Sequence, residues 1–152
     1  MKYICLLLGS LLVLGAANAA LGKGGDMDKA DLSRYRWQHR LLLIFSPSAQ
    51  TPAFQQLASQ LKQQRGGAAD RDLLVFSIMS AGQSRVGEGV LSRQAAENLR
   101  RRFQVAADEF RVVLIGKDGT VKLSEPAVRL SEVFALIDSM PMRQREMREK
   151  AQ

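Results

Sequence analysis

Residues 40–48 read Arg-Leu-Leu-Leu-Ile-Phe-Ser-Pro-Ser. Five consecutive apolar residues, Leu41 to Phe45, lie between a basic cluster and a proline, the pattern of a strand buried on both faces. The strand is followed by a corner into a helix. Thr51 is placed to cap that helix and Pro52 to take its first position, where a missing amide hydrogen costs nothing. Ligands of open α/β sheets gather at the carboxyl ends of strands, so Ser46 to Thr51 stands where a site is expected. The residues there are chemically quiet.

Downstream, Phe54, Leu57, Ala58 and Leu61 recur at helical spacing, and Gly66-Gly67 is expected to end the helix. After the polar turn Asp70-Arg71-Asp72, Leu73 to Met79 reads as a second buried strand. Two strands joined by one helix imply a right-handed parallel crossover. Ser80 to Leu91 reads as a long Gly/Ser connection without regular structure. A Walker-type phosphate loop would require Lys followed by Ser or Thr after Gly87, where the chain has Glu88-Gly89, and Arg85 is read as a solvated loop residue. Ser92 is placed to cap a helix whose Ala96, Leu99 and Phe103 share a face. Arg111 to Ile115 and Thr120 to Leu123, joined by Gly116-Lys117-Asp118-Gly119, read as a hairpin because Asp-Gly supplies the positive φ of a tight turn. Ser131 is expected to cap a last helix with Val133, Phe134 and Ile137 inward, closed by Pro141. The segment from Met142 to Gln152 is a charged tail able to continue as a helix through a Glu146/Lys150 pair.

Upstream, Lys2, the apolar run Tyr3 to Leu14 and the small-x-small ending Ala17-Asn18-Ala19 are the three parts of a secretory signal peptide, cleaved after Ala19 or Ala20. The apolar run falls short of the roughly 20 residues of a bilayer span. The expected product is exported, periplasmic or extracellular, with no transmembrane segment after cleavage. The expected organisation is a signal peptide at 1–19, a flexible leader at 20–31 around Gly22 to Gly25, one domain at 32–141 and the charged tail at 142–152. Cys5 is the single cysteine and leaves with the signal, so the mature chain is expected to carry no disulfide, no thiolate nucleophile and no cysteine metal site.

The chain carries 22 lysines and arginines against 15 acids, a formal net charge of +7. Such a protein is suited to anionic polymers. Arg93, Arg100, Arg101 and Arg102 concentrate positive charge around one helix and are candidates for polyanion binding, although cations near a helix end also complement its dipole. The heptad Arg34-Tyr35-Arg36-Trp37-Gln38-His39-Arg40 interleaves basic and aromatic residues, as single-stranded nucleic-acid binders do. One heptad falls short of such an interface. Trp37, with Tyr35, is expected to pack under the sheet edge while the arginines extend outward.

The order β-α-β-α-β-β-α, with a mixed four-stranded sheet flanked by helices, is the minimal thioredoxin-like α/β fold. The stretches Tyr35-Arg36-Trp37 with Arg40 to Phe45, Leu114 to Gly119 with Val121-Lys122-Leu123, and Leu136 to Arg143 resemble an uncharacterised thioredoxin-like family. Its bacterial members are small exported proteins, and its vertebrate relatives are terminal domains of sushi-repeat-containing and equarin-like secreted proteins. The resemblance runs from about Leu32 to Met147 and implies the fold, with no established activity to transfer.

Redox-active proteins of this fold place Cys-x-x-Cys or a single reactive cysteine at the corner after the first core strand, and a cis-proline before the third. Here the corner is Ser46-Pro47-Ser48-Ala49, and Glu109-Phe110-Arg111 precedes the third strand. A serine hydroxyl cannot replace a thiolate in disulfide exchange. Nor is acyl transfer expected, because a seryl nucleophile needs a base. His39 is the single histidine. It lies seven residues from Ser46, which at about 3.3 Å each is roughly 23 Å along one strand. A lone histidine makes no metal site, and no cofactor motif is present. Three readings remain. The corner residues Ser46, Ser48 and Thr51, with Arg111, form a small anion or peptide site of a non-redox binding module. Alternatively the arginine-rich helix attaches to anionic envelope or matrix polymers, or a residual thioredoxin-like oxidoreductase or peroxidase-type activity depends on a partner's cysteine.

Overall fold

The computed structural model describes residues 30–152. The signal peptide expected at 1–19, its Cys5, and the leader except Ala30 and Asp31 lie outside the described residues. After a 3-10 turn at Leu32–Tyr35 come β1 (Arg40–Ser46), α1 (Pro52–Gln63), α2 (Arg65–Asp70), β2 (Leu73–Met79), β3 (Ser84–Val86) and β4 (Gly89–Leu91). They are followed by α3 (Arg93–Phe103), β5 (Arg111–Ile115), β6 (Val121–Glu125), α4 (Leu130–Ser139) and α5 (Pro141–Lys150).

One six-stranded sheet has the order β4-β3-β2-β1-β5-β6. β1 lies near its middle, parallel to β2 and antiparallel to β5. Because side chains alternate across a strand, its apolar run feeds two cores at once. Leu41, Leu43 and Phe45 join Phe76, Ile78 and Val113 beneath Ala95, Ala96 and Leu99 of α3. Leu42 and Ile44 join Val112 and Leu114 beneath Leu57 of α1 and Val133 and Ile137 of α4. Burying each such side chain contributes about 1.5–3 kcal/mol, which makes β1 the axis of the domain. The β2-β1-β5-β6 portion, with its crossover and final hairpin, is the thioredoxin-like arrangement expected from the sequence.

The sheet has six strands and not four, because the connection Ser80 to Leu91 folds into the β3–β4 hairpin beside β2. Gly87 takes a φ of 52° in its two-residue turn, and the Ser84 hydroxyl accepts a 2.9 Å hydrogen bond from the Met79 amide. Strands of three residues are too short to carry a period-two signal. Gly66 and Gly67 do not end α1 but lie inside α2. A Cβ on Gly67 would stand 2.9 Å from the Phe134 ring, so this glycine admits α4. Ser92 caps α3 as expected, accepting from the Ala95 amide. Thr51 makes no side-chain cap bond to α1. Ser131 lies within the first turn of α4, whose cap is Arg129; the Arg129 amide donates to Glu132.

Trp37 does not pack under the sheet. It is 63% exposed at a φ of 66°, its amide donating to the Lys117 carbonyl at 2.7 Å. Tyr35 takes the inward role, edge-on to Phe76.

The segment read as a charged tail is docked as α5 by buried cations. Arg40 is 1% exposed and meets both Glu146 oxygens at 3.1 Å, while Lys117 joins Glu146 and Asp72, each at 2.8 Å. Arg143, 2% exposed, holds the Asp70 carboxylate and carbonyl and, at 3.3 Å, Asp138. Glu146 therefore pairs with Arg40 and Lys117 and not with Lys150, which reaches Asp70 at 2.8 Å.

Hydrogen bonds from Lys150 and Arg143 hold the Asp70 carboxyl down to about 2. For Glu146 burial raises the pKa, but hydrogen bonds from Arg40 and Lys117 outweigh it and the net shift is downward. Folded values below the unfolded ones mean that the unfolded chain takes up protons first as the pH falls. The stabilisation is complete above the unfolded carboxylate range of about 4 and drains away towards pH 2. The urea midpoint should hold between pH 7 and 5 and fall steeply below 4, and Asp70→Asn should flatten that fall. The half-exposed position of Asp70 limits its share through solvent screening.

Candidate functional site

The corner at the carboxyl end of β1 is built by hydrogen bonds that use most of its polar atoms. The buried Ser46 hydroxyl donates to the Ser48 carbonyl at 2.8 Å. The Ser48 hydroxyl accepts from the Gln50 amide at 3.2 Å, and the Thr51 hydroxyl from the Ser48 amide at 3.3 Å. The corner is tied to the end of β2 by the Ser80 amide on the Ser46 carbonyl and the Ala81 amide on the Pro47 carbonyl, at 3.0 and 2.8 Å.

Beneath it lies Arg100. Its guanidinium donates to the carbonyls of Ser46 at 2.6 Å, Ile78 at 3.0 Å and Ala106 at 2.7 Å, and stands over the Phe45 ring. Burial pulls its pKa below the ordinary arginine value, an effect the Glu109 charge opposes. A guanidinium is so basic that it stays charged here. Arg100 therefore gathers the carbonyl ends of two parallel strands, where several oxygens would otherwise crowd together.

The four expected corner residues are thus partly assembled. Ser46, Ser48 and Thr51 come together, but Ser46 is sealed in. Arg111 pairs in register with Phe45, and its guanidinium is held by Glu109 at 2.7 Å and by the Ser124 hydroxyl at 3.2 Å. The four expected polyanion-binding arginines do not form one patch: Arg93, Arg101 and Arg102 are exposed, whereas Arg100 is 8% exposed and committed to backbone carbonyls. One sequence signal for this was present, since Arg100 follows the buried Ala96 by four residues and so shares its face. His39 precedes β1 and Ser46 ends it, so the two stand at opposite ends of the strand. Among the described residues no group of three or more His, Cys, Asp or Glu is placed to hold a metal ion, and no helix is long and apolar enough to cross a membrane.

Next to the corner is a groove that sequence reading missed. A cavity of about 250 Å³ separates the first turns of α1 from those of α4, lined by Ala53, Gln56, Leu57, Phe110, Val128 and Glu132. Its walls come from segments distant in sequence, so no local pattern announces it.

Residues 31–146 match the model of a family described as a domain of unknown function, DUF4174. The chain is 29% identical over 133 residues to coiled-coil domain-containing protein 80 of Danio rerio, covering 76% of this chain and 15% of that protein. It thus spans a small part of that relative's length. Among solved structures, thioredoxin peroxidase I of Plasmodium yoelii superposes with a TM-score of 0.53 at 16% identity, covering 75% of this chain and 79% of that one. Prx1a of the same organism, modified at its N-terminus, gives 0.52 at 16%, covering 74% and 79%. At such identity the likeness is one of fold, the thioredoxin fold that peroxiredoxins share.

Proposed function

The chain belongs to the family described as a domain of unknown function, DUF4174, and from that footing we propose that it is a non-redox binding module of an exported protein, holding an extended peptide segment in the groove beside the β1 corner. The observation that carries this reading is the pairing of a closed corner with an open groove. The hydroxyl at the head of the corner is buried and internally bonded, and Cys5, the single cysteine of the chain, lies in the expected signal peptide. The groove beside it has an apolar floor of Leu57, Phe110 and Val128 with Gln56 and the Arg129–Glu132 ion pair at its edge, a composition suited to side chains and main-chain groups of a peptide. Export rests on the leader sequence, with its basic start, short apolar core and small-x-small ending.

Nuclear magnetic resonance titration of the full chain with a library of extended peptides tests the binding. Amide shifts should cluster at Ala53, Gln56, Phe110 and Val128, and Val128→Asp should abolish them; Val128 packs against the core beside Leu57, so the urea midpoint of this variant should drop while the chain stays folded in the absence of urea. Shifts scattered outside the groove, or untouched by that substitution, would remove the peptide reading. A Cys5→Ala chain that still reduced insulin or consumed peroxide above background would remove the non-redox one.

A second reading, attachment to anionic polymers, is favoured by the exposure of Arg93, Arg101 and Arg102 on α3. Retention on a heparin column should then fall when Arg101 and Arg102 are both changed to glutamine, and an unchanged elution salt would dismiss it.

A further inference from the structure

At the opposite end of the sheet, beside the amino end of β1, lies a cavity of about 320 Å³ between the 3-10 turn, the β5–β6 turn and α3. We infer that this cavity binds a small aromatic carboxylic acid, its carboxylate taken by Arg36 and Arg102 and its ring by the apolar floor. The floor is Leu32, Leu41 and Ile115, all buried, with the His39 and Tyr35 rings beside it. The volume is at the lower end of the range for small-ligand sites.

The wall is unbalanced in what it offers. Arg40, Arg71, Arg111, Arg129 and Arg143 each meet a carboxylate, and Arg100 meets three carbonyls. The side chains of Arg36 and Arg102 form no hydrogen bond or ion pair among the described residues; they lie over the rings of their neighbours, Trp37 at 5.6 Å and Phe103 at 5.7 Å, and the Arg102 charge acts on Asp31 from a distance. The two acidic side chains of the same wall are already served. Asp31 accepts from the Ser33 amide at 3.0 Å, and Asp118 accepts from Thr120 and Lys122. The site therefore has donors to spare, and two guanidinium groups match the planar, two-oxygen geometry of a carboxylate.

The backbone around Arg36 is arranged for its position. Trp37 is held at positive φ, which is uncommon for a bulky residue. Gly119, with φ of 81°, leaves open the space that Arg36 crosses: a Cβ there would stand 2.9 Å from its Nε and 3.1 Å from its Cδ. Arg36 is thus laid across the hairpin turn at the cavity edge.

Trp37 is the single tryptophan of the chain and lies against Arg36, so it reports on the site. Titrating the full chain with 3-phenylpropionate should change its fluorescence saturably, and 3-phenylpropionamide, which lacks the charge, should not. Arg36→Gln and Arg102→Gln should each weaken phenylpropionate by about tenfold or more, the loss of one charge-assisted hydrogen bond. Arg65→Gln, on α2 and outside the cavity, should leave affinity unchanged. All three side chains are exposed, so folding should survive and the urea midpoint verifies it. Equal response to acid and amide, no saturable response to the acid, or indifference to both cavity substitutions would overturn the proposal. Because this site stands at the other end of β1, Val128→Asp should not affect it.

Discussion

Glu146→Ala should lower the free energy of unfolding by roughly 3 kcal/mol, among the largest effects expected of one surface-proximal residue. The reason lies in what it leaves behind. Arg40 is at the start of the central strand, 1% exposed, and both of its terminal nitrogens point at Glu146. Its remaining side-chain partner is the Arg71 carbonyl at 3.0 Å, and its Nε has no partner among the described residues. Removing the carboxylate strands a charge in the interior and frees α5 from β1. Lys117 loses one of its two carboxylates at the same time. Chemical denaturation should show the loss as a lower urea midpoint, and limited proteolysis should cut first within Met142–Gln152. The double substitution Arg40→Met with Glu146→Leu should regain much of the loss, because it removes both charges together. If the single substitution cost less than about 1 kcal/mol, the range typical of exposed ion pairs, Arg40 would have to be reached by water.

Arg100→Met should cost a similar amount, roughly 2–4 kcal/mol, by leaving the carbonyls of Ser46, Ile78 and Ala106 without their shared donor. The apolar substitute fills the volume over Phe45, so the loss isolates hydrogen bonding and charge. Arg100→Lys should rescue little, since a single ammonium cannot span three oxygens with the fixed fork of a guanidinium. The more specific readout is local. Hydrogen exchange at the Ser80 and Ala81 amides, which bridge the corner to β2, should accelerate more than exchange at the centre of β1. Equal acceleration throughout the sheet would mean that Arg100 supports the whole fold and not the corner.

The parts of the fold visible in the sequence were those whose cause is local. The apolar run Leu41 to Phe45 identified the central strand, because a strand covered on both faces has no polar side to show. Asp118-Gly119 identified the last hairpin, and Gly119 does adopt positive φ. What escaped notice was set by distant partners. Arg40 and Glu146 are separated by 106 positions and Arg143 and Asp70 by 73, so buried cations looked like solvated ones. Gly67 looked like a helix stop because Phe134, which requires its missing side chain, lies far along the chain. The alternation of aromatic and basic residues suggests that Trp37 packs under the sheet edge, but its turn, fastened to Lys117, points it outward. The sequence places Ser46, Ser48 and Thr51 at one corner, but it does not tell that Ser46 spends its hydroxyl on Ser48 or that Arg100 leaves the basic face to hold the corner from below.

The docking of α5 has a consequence for how the protein is made. A chain grows from its amino end, at roughly 5–20 residues per second. Arg40 is synthesised early, whereas the carboxylate it meets is at position 146. Wherever the chain folds, the Arg40 guanidinium lacks this counter-charge until that turn is in place. A chain cut after α4 should therefore carry an uncompensated cation at the amino end of β1, and α5 completes the strand that begins the domain.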